Sequence, residues 1–107
     1  MTFGIIGSGA FGTALSISLS STNKKLILWT RNQDVVNSVQ EIRENRLRLP
    51  GYILPQNIIV TNDINQMENC SIILIAVPMQ QLRSVVELHR SRLEGKILVA
   101  CLSLIHI

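Results

Sequence analysis

The sequence predicts an α/β fold, a doubly wound parallel sheet of about five strands with helices on both faces. Short apolar, β-branched runs alternate with stretches of helical period. The most apolar run, Ile72 to Val77, is continuous rather than alternating, as suits a strand covered on both faces. The first run ends in a glycine-rich turn that opens a helical pattern.

Taken in order, Phe3 to Ile6 is a buried strand closed by glycine. A helix follows the glycine turn, with Ala10, Phe11, Ala14, Leu15 and Leu19 expected inward at steps of three and four, and Ser20-Ser21-Thr22-Asn23 ends it. Lys25 to Trp29 is the second strand. Thr30 or Asn32 can cap the next helix, whose apolar stripe is Val35, Val36, Val39 and Ile42. Two proline-containing turns, Leu49-Pro50-Gly51 and Leu54-Pro55, make 45–57 an irregular loop. The third strand is Ile58 to Thr61, and a short helix spans Ile64 to Glu68. The fourth strand runs from Ile72 to Val77 and stops at Pro78. Gln80 to Leu93 is helical, with Leu82, Val85, Val86 and Leu93 inward and His89 on the surface. Lys96 to Ala100 starts the fifth strand, expected to reach 101. The first strand should be central.

The chain has 107 residues, enough for one domain with a real core. Hydrophobic residues make up 47%, which excludes disorder. Net charge is +3, and the basic residues are scattered, with 4% aromatics, so no nucleic-acid platform is expected. The local group Arg43, Arg46 and Arg48 suits a solvated loop edge better than a polyanion site. Cys70 and Cys101 border apolar runs and are expected as reduced, buried small hydrophobes rather than a disulfide. No His or Cys lies near them at ligand spacing, so no metal is expected. With no basic segment ahead of an apolar one and no run long enough for a bilayer, the expectation is a cytoplasmic protein without a signal peptide or membrane span.

The chemistry is carried by Gly7-Ser8-Gly9-Ala10-Phe11-Gly12. A Gly-x-Gly-x-x-Gly string alone is weak. Here it leaves a strand, opens a helix and lies in a strand–helix–strand unit of about 30 residues, the context of a Rossmann-type dinucleotide site. Gly7 allows the tight turn, Gly9 lets a pyrophosphate approach the backbone, and Gly12 lets the helix pack closely. Helix-terminal N–H groups then meet the phosphates. The alternative is a glycine turn of purely structural use. At the end of the second strand stands Thr30-Arg31-Asn32, with no carboxylate before Asp34. NAD-specific domains place an acid there for the ribose 2′-OH, whereas a guanidinium suits a 2′-phosphate. The expected cofactor is NADP or NAD, with NADP favoured, unless Arg31 merely faces solvent. Val77 and Pro78, ending the fourth strand, belong to the ligand edge of such sheets. No catalytic residue is expected: no lysine or histidine within 1–101 falls at a strand's carboxyl edge.

These residues resemble the bacterial-type NAD(P)-dependent glycerol-3-phosphate dehydrogenases. Gly12-Thr13-Ala14 with Phe11, Leu28-Trp29-Thr30-Arg31, and Asn45, Leu49-Pro50-Gly51, Leu54-Pro55-Gln56-Asn57-Ile58 and Thr61-Asn62-Asp63 carry the likeness. Ile75-Ala76-Val77-Pro78 with Gln80 and Leu82-Arg83 completes it, over about residues 3 to 101. The resemblance implies hydride transfer between dihydroxyacetone phosphate and sn-glycerol 3-phosphate, supplying phospholipid synthesis, and a cofactor contact at Arg31. It implies a small phosphorylated substrate for the full-length enzyme, for which a homodimer is a candidate assembly. Two departures stand out. Arg48 occupies a position where the family often has Tyr, which weakens a cofactor role there. The fifth strand should lead into a Lys-Gly pair and then a helical catalytic domain, and Leu102 onward replaces that pair.

Residues 1–101 are therefore expected to be the dinucleotide-binding domain, the N-terminal part of a two-domain enzyme. Leu102-Ser103-Leu104-Ile105-His106-Ile107 matches the translation of CTG TCT CTT ATA CAC ATC, the transposon end of tagmentation libraries. Residues 102–107 are accordingly expected to be a non-native tail, although an apolar strand end has the same composition. Two other functions fit the glycine turn. One is the cofactor domain of another Rossmann dehydrogenase acting on a hydroxy acid, ketopantoate or an imine, which should lack the Asn45 to Asp63 pattern. The other is a nucleotide-sensing module without catalysis.

Overall fold

The computed structural model describes residues 2–22, 25–77 and 79–100. Five strands, β1 (Phe3–Ile6), β2 (Leu26–Trp29), β3 (Ile58–Thr61), β4 (Ile72–Ile75) and β5 (Ile97–Ala100), form one sheet in the order β3-β2-β1-β4-β5. Every pairing is parallel and β1 is central, as expected. Ile6 stands level with Trp29 on one side and Ile75 on the other, so three strands end together. The strands are four residues each and β4 stops at Ile75, two residues short of the expected end. The chain crosses to β2 and β3 on one side of β1, then returns to β4 on the other. That reversal opens a crevice at the carboxyl ends of β1 and β4.

Side chains alternate across the sheet into two apolar clusters. Ile5, Leu26, Leu28, Ile58 and Val60 face α1 (Ala10–Ser20) and α2 (Gln33–Ile42), with Val35, Val36 and Val39 packed among them. Ile6, Ile27, Trp29, Ile73 and Ile75 face the opposite way. That face is closed by a single 3-10 turn at Ile64–Met67, by α3 (Met79–Leu88) and by α4 (Arg90–Leu93). The expected inward positions Leu82, Val85, Val86 and Leu93 all lie in this cluster. Cys70 is a free thiol buried in it, and burial pushes its pKa up despite Lys96 and Lys25. Cys101, Pro78 and the tail 102–107 lie outside the described residues.

Three expectations are corrected. The buried face of α1 is Gly12, Thr13, Ser16 and Ser20, while Ala10 and Ala14 are exposed and Phe11 is 42% exposed. The cause is close approach: a Cβ on Gly12 would stand 2.0 Å from the Gly7 carbonyl oxygen, so the facing positions must be small. Their hydroxyls are satisfied locally, with Ser16 donating to Gly12 O at 2.9 Å and Ser20 to Ile17 O at 2.7 Å. Leu15 and Leu19 pack only from the flank, as partly buried residues. Ile42 ends its stripe 39% exposed, because α2 stops there in a left-handed cap at Arg43 (φ 56°).

Arg43 is the second correction, since it is no solvated edge. Its guanidinium donates to Leu54 O (3.3 Å), Pro55 O (2.6 Å) and Ile58 O (2.8 Å), binding the long loop to the start of β3. The loop is further organised by an antiparallel bridge between Glu44 and Ile53. His89, the third, is 8% exposed and meets Trp29 edge-on with ring centroids 4.5 Å apart.

Candidate functional site

A cleft of about 440 Å³ opens at the carboxyl ends of β1, β2 and β4. Its rim begins with the glycine turn. Gly7 (φ 120°) leaves β1 in a conformation that only glycine adopts readily, and a Cβ there would stand 2.4 Å from Ala76 O. Gly12 is equally closed against Gly7. Gly9 is the opposite case: its φ of −67° suits any residue, and nothing lies within 4 Å of its Cβ position. Two glycines thus let backbone approach backbone, while the middle one faces open space.

Gly9 is also the N-cap of α1 and supplies no side-chain cap. The first-turn N–H groups therefore keep the donor capacity that a Ser or Asp cap would absorb, and the helix dipole adds positive potential there. No acidic residue sits in that first turn. The donor set and the empty space before Gly9 fit a pyrophosphate.

Hydrogen bonds tie the turn to the end of β2. Ser8 donates through Oγ to Thr30 Oγ1 at 2.6 Å, and Thr30 Oγ1 accepts from Asn32 N at 3.0 Å. Asn32, not Thr30, caps α2 by accepting from Asp34 N at 2.9 Å. Arg31 lies between these two anchored residues, exposed on the cleft.

Of the expected site residues, Gly7, Ser8, Gly9, Arg31 and Val77 line the cleft. Gly12 lies beneath it as a packing contact, and Ala10 and Phe11 stand exposed on the first turn of α1 outside its lining. Pro78 is outside the described residues. Several lining residues were not among those expected. Trp29 and His89 form the inner wall, Gln81 comes from α3, and Arg48 reaches the rim from the long loop beyond α2. His89 had a signal in its spacing: it falls three residues after Val86 and four before Leu93, on the buried stripe. Arg48 had none, because its placement depends on how the loop folds back.

Trp29 Nε1 and His89 Nε2 are both enclosed and have no hydrogen-bond partner among the described residues. Burial pushes the His89 pKa below its ordinary value of 6.5, so the imidazole is neutral at pH 7. Among the described residues no group of His, Cys, Asp or Glu could hold a metal, and no helix is long and apolar enough to cross a membrane.

Comparison with known proteins gives a consistent result. Residues 2–103 match the family model described as the NAD-dependent glycerol-3-phosphate dehydrogenase N-terminus. Glycerol-3-phosphate dehydrogenase [NAD(P)+] of Ruegeria sp. (strain TM1040) is 45% identical over 101 residues, covering 94% of this chain and 31% of the relative. The Roseobacter denitrificans protein of the same name is 43% identical over the same length and coverage. The crystal structure of glycerol-3-phosphate dehydrogenase from Coxiella burnetii superposes with a TM-score of 0.86 at 27% identity, over 95% of this chain and 32% of that one. The chain thus spans about a third of the length of these relatives. With its glycine turn, sheet order and sequence all in agreement, this chain belongs to the N-terminal, NAD-binding domain family of the glycerol-3-phosphate dehydrogenases.

Proposed function

We propose that this chain is the cofactor half of an enzyme interconverting dihydroxyacetone phosphate and sn-glycerol 3-phosphate. In this reading residues 1–101 are its dinucleotide-binding domain, 102–107 are a non-native tail, and the remaining catalytic groups belong to a second domain. The observation that carries the reading is the contrast among the three glycines: a Cβ is blocked at 2.4 Å at Gly7 and 2.0 Å at Gly12, but free at Gly9. A turn with only a structural task has no use for an open central glycine; a pyrophosphate-binding turn does.

Each expected residue then has a task. Ser8, Gly9, Ala10 and Phe11 present backbone N–H groups to the phosphates, and Gly7 and Gly12 shape the turn. Val77, just past the end of β4, borders the cleft, and Pro78 is assigned with it from the sequence alone. Arg31 takes the 2′-phosphate, making NADP the favoured cofactor over NAD. A bound nicotinamide would supply or accept the hydride. The substrate would be a small phosphorylated ketone or alcohol held by the second domain, and a homodimer of the full-length enzyme and a cytoplasmic location complete the proposal.

The test is a titration of NADPH and NADH followed by the emission of Trp29, the chain's one tryptophan, which lines the cleft. NADPH should bind tighter. Arg31→Asp should erase or reverse the preference, because a carboxylate repels the 2′-phosphate and accepts from a 2′-OH. Equal affinities before and after the change would remove Arg31 from the reading.

A further inference from the structure

Asn45 has no assigned task, yet it is fully buried where the long loop begins. Its Nδ2 donates twice, to Ser8 O at 2.9 Å and to Thr13 Oγ1 at 2.9 Å. Because a carbonyl can only accept, the Ser8 contact settles which end of the amide is nitrogen. Thr13 adds a second donor to the same carbonyl, at 3.2 Å. The Asn45 Oδ1 atom is enclosed and has no partner among the described residues. Leaving a buried acceptor unmatched is costly, so the side chain earns its place through its donors.

What those donors hold is the peptide between Ser8 and Gly9. No cis peptide bond is present among the described residues, and in a trans peptide the N–H points opposite to the C=O. With the Ser8 carbonyl locked inward on Asn45 and Thr13, the Gly9 N–H is directed away from them, on the exposed side that lines the cleft. The same residue also sets the rim. Its own carbonyl accepts from Arg48 N (3.3 Å) and Leu49 N (2.8 Å), closing the turn that carries Arg48 to the cleft. Its backbone is held in turn by Ser38, which donates to Glu44 O at 2.6 Å and accepts from Arg46 N at 3.2 Å.

We propose that Asn45 is a positioning residue for dinucleotide binding, fixing the Ser8–Gly9 peptide so that the Gly9 N–H meets the pyrophosphate. The inference rests on the dinucleotide reading above. Its consequence is selective: losing the Asn45 donors weakens ligands that reach the glycine turn and spares those that reach only the ribose end.

The experiment compares the unchanged chain with Asn45→Ala and with the isosteric Asn45→Asp. NADPH and 2′-AMP, which lacks the pyrophosphate, are titrated against each, with circular dichroism as the fold control. NADPH affinity should fall about tenfold, the worth of one hydrogen bond. Affinity for 2′-AMP should stay within about twofold, since no Asn45 donor serves it. An equal loss for both ligands, unchanged NADPH affinity, or failure of both variants to fold would assign Asn45 to the framework and overturn the proposal. Failure of the unchanged chain to bind NADPH would instead overturn the dinucleotide reading itself.

Discussion

At the scale of single residues, the glycines separate binding from stability. Gly9→Val places its side chain in open space on a backbone that valine accepts, so the fold should keep its melting temperature. The same side chain stands where the pyrophosphate must approach. NADPH affinity should fall at least about a hundredfold, the loss of one or two charge-assisted hydrogen bonds. Gly12→Ala acts in the reverse order. Its Cβ collides with a backbone carbonyl, which cannot rotate aside, and overpacking of that kind costs about 1–3 kcal/mol. Calorimetry of both variants, with and without NADPH, separates the two effects. A stable Gly12→Ala variant, or a Gly9→Val variant that binds normally, would contradict the geometry.

At the scale of elements, the elbow between α3 and α4 has a pH dependence of its own. His89 stands at that elbow (φ −108°, ψ 18°), buried against Trp29. Burial lowers its pKa below 6.5, so between that folded value and 6.5 the unfolded chain binds more protons than the folded one. Stability contributed by the neutral imidazole is therefore complete above about pH 6.5 and is lost as pH falls through the window beneath it. The loss can be no steeper than about 1.4 kcal/mol per pH unit for one proton. Urea titrations from pH 7.5 to 5 should show this slope, and His89→Phe should flatten it. An unchanged slope in the variant would place the titrating group elsewhere. In this stretch the sequence reading missed His89 alone, which joins the expected inward positions Leu82, Val85, Val86 and Leu93 on the buried side.

At the scale of the whole molecule, the chain is expected to turn over no substrate. Hydride transfer needs an acceptor carbonyl held at near-attack distance and a donor or cation where charge develops on its oxygen. Among the described residues, Lys96 is spent on Glu68 O and Cys70 O, each at 2.7 Å, at the amino end of β5. His89 lines the cleft, but its Nε2 is enclosed against solvent. NADPH oxidation with dihydroxyacetone phosphate, assayed at high concentration of the chain, should match the blank. A rate clearly above it would reveal a catalytic centre in the chain itself.

Local patterns in the sequence were sufficient for the strands, the parallel order and the glycine turn. Continuous β-branched runs allow little but strands buried on both faces, and glycine at Gly7 and Gly12 records steric limits that no other residue meets. Only the tertiary structure decided the buried face of α1, the clamp of Arg43 and the reach of Asn45 to Ser8. The physical reason is common to all three. Hydrophobic periodicity records which side chains avoid water, whereas these contacts depend on how closely two backbones approach and on hydrogen bonds between residues up to 37 positions apart.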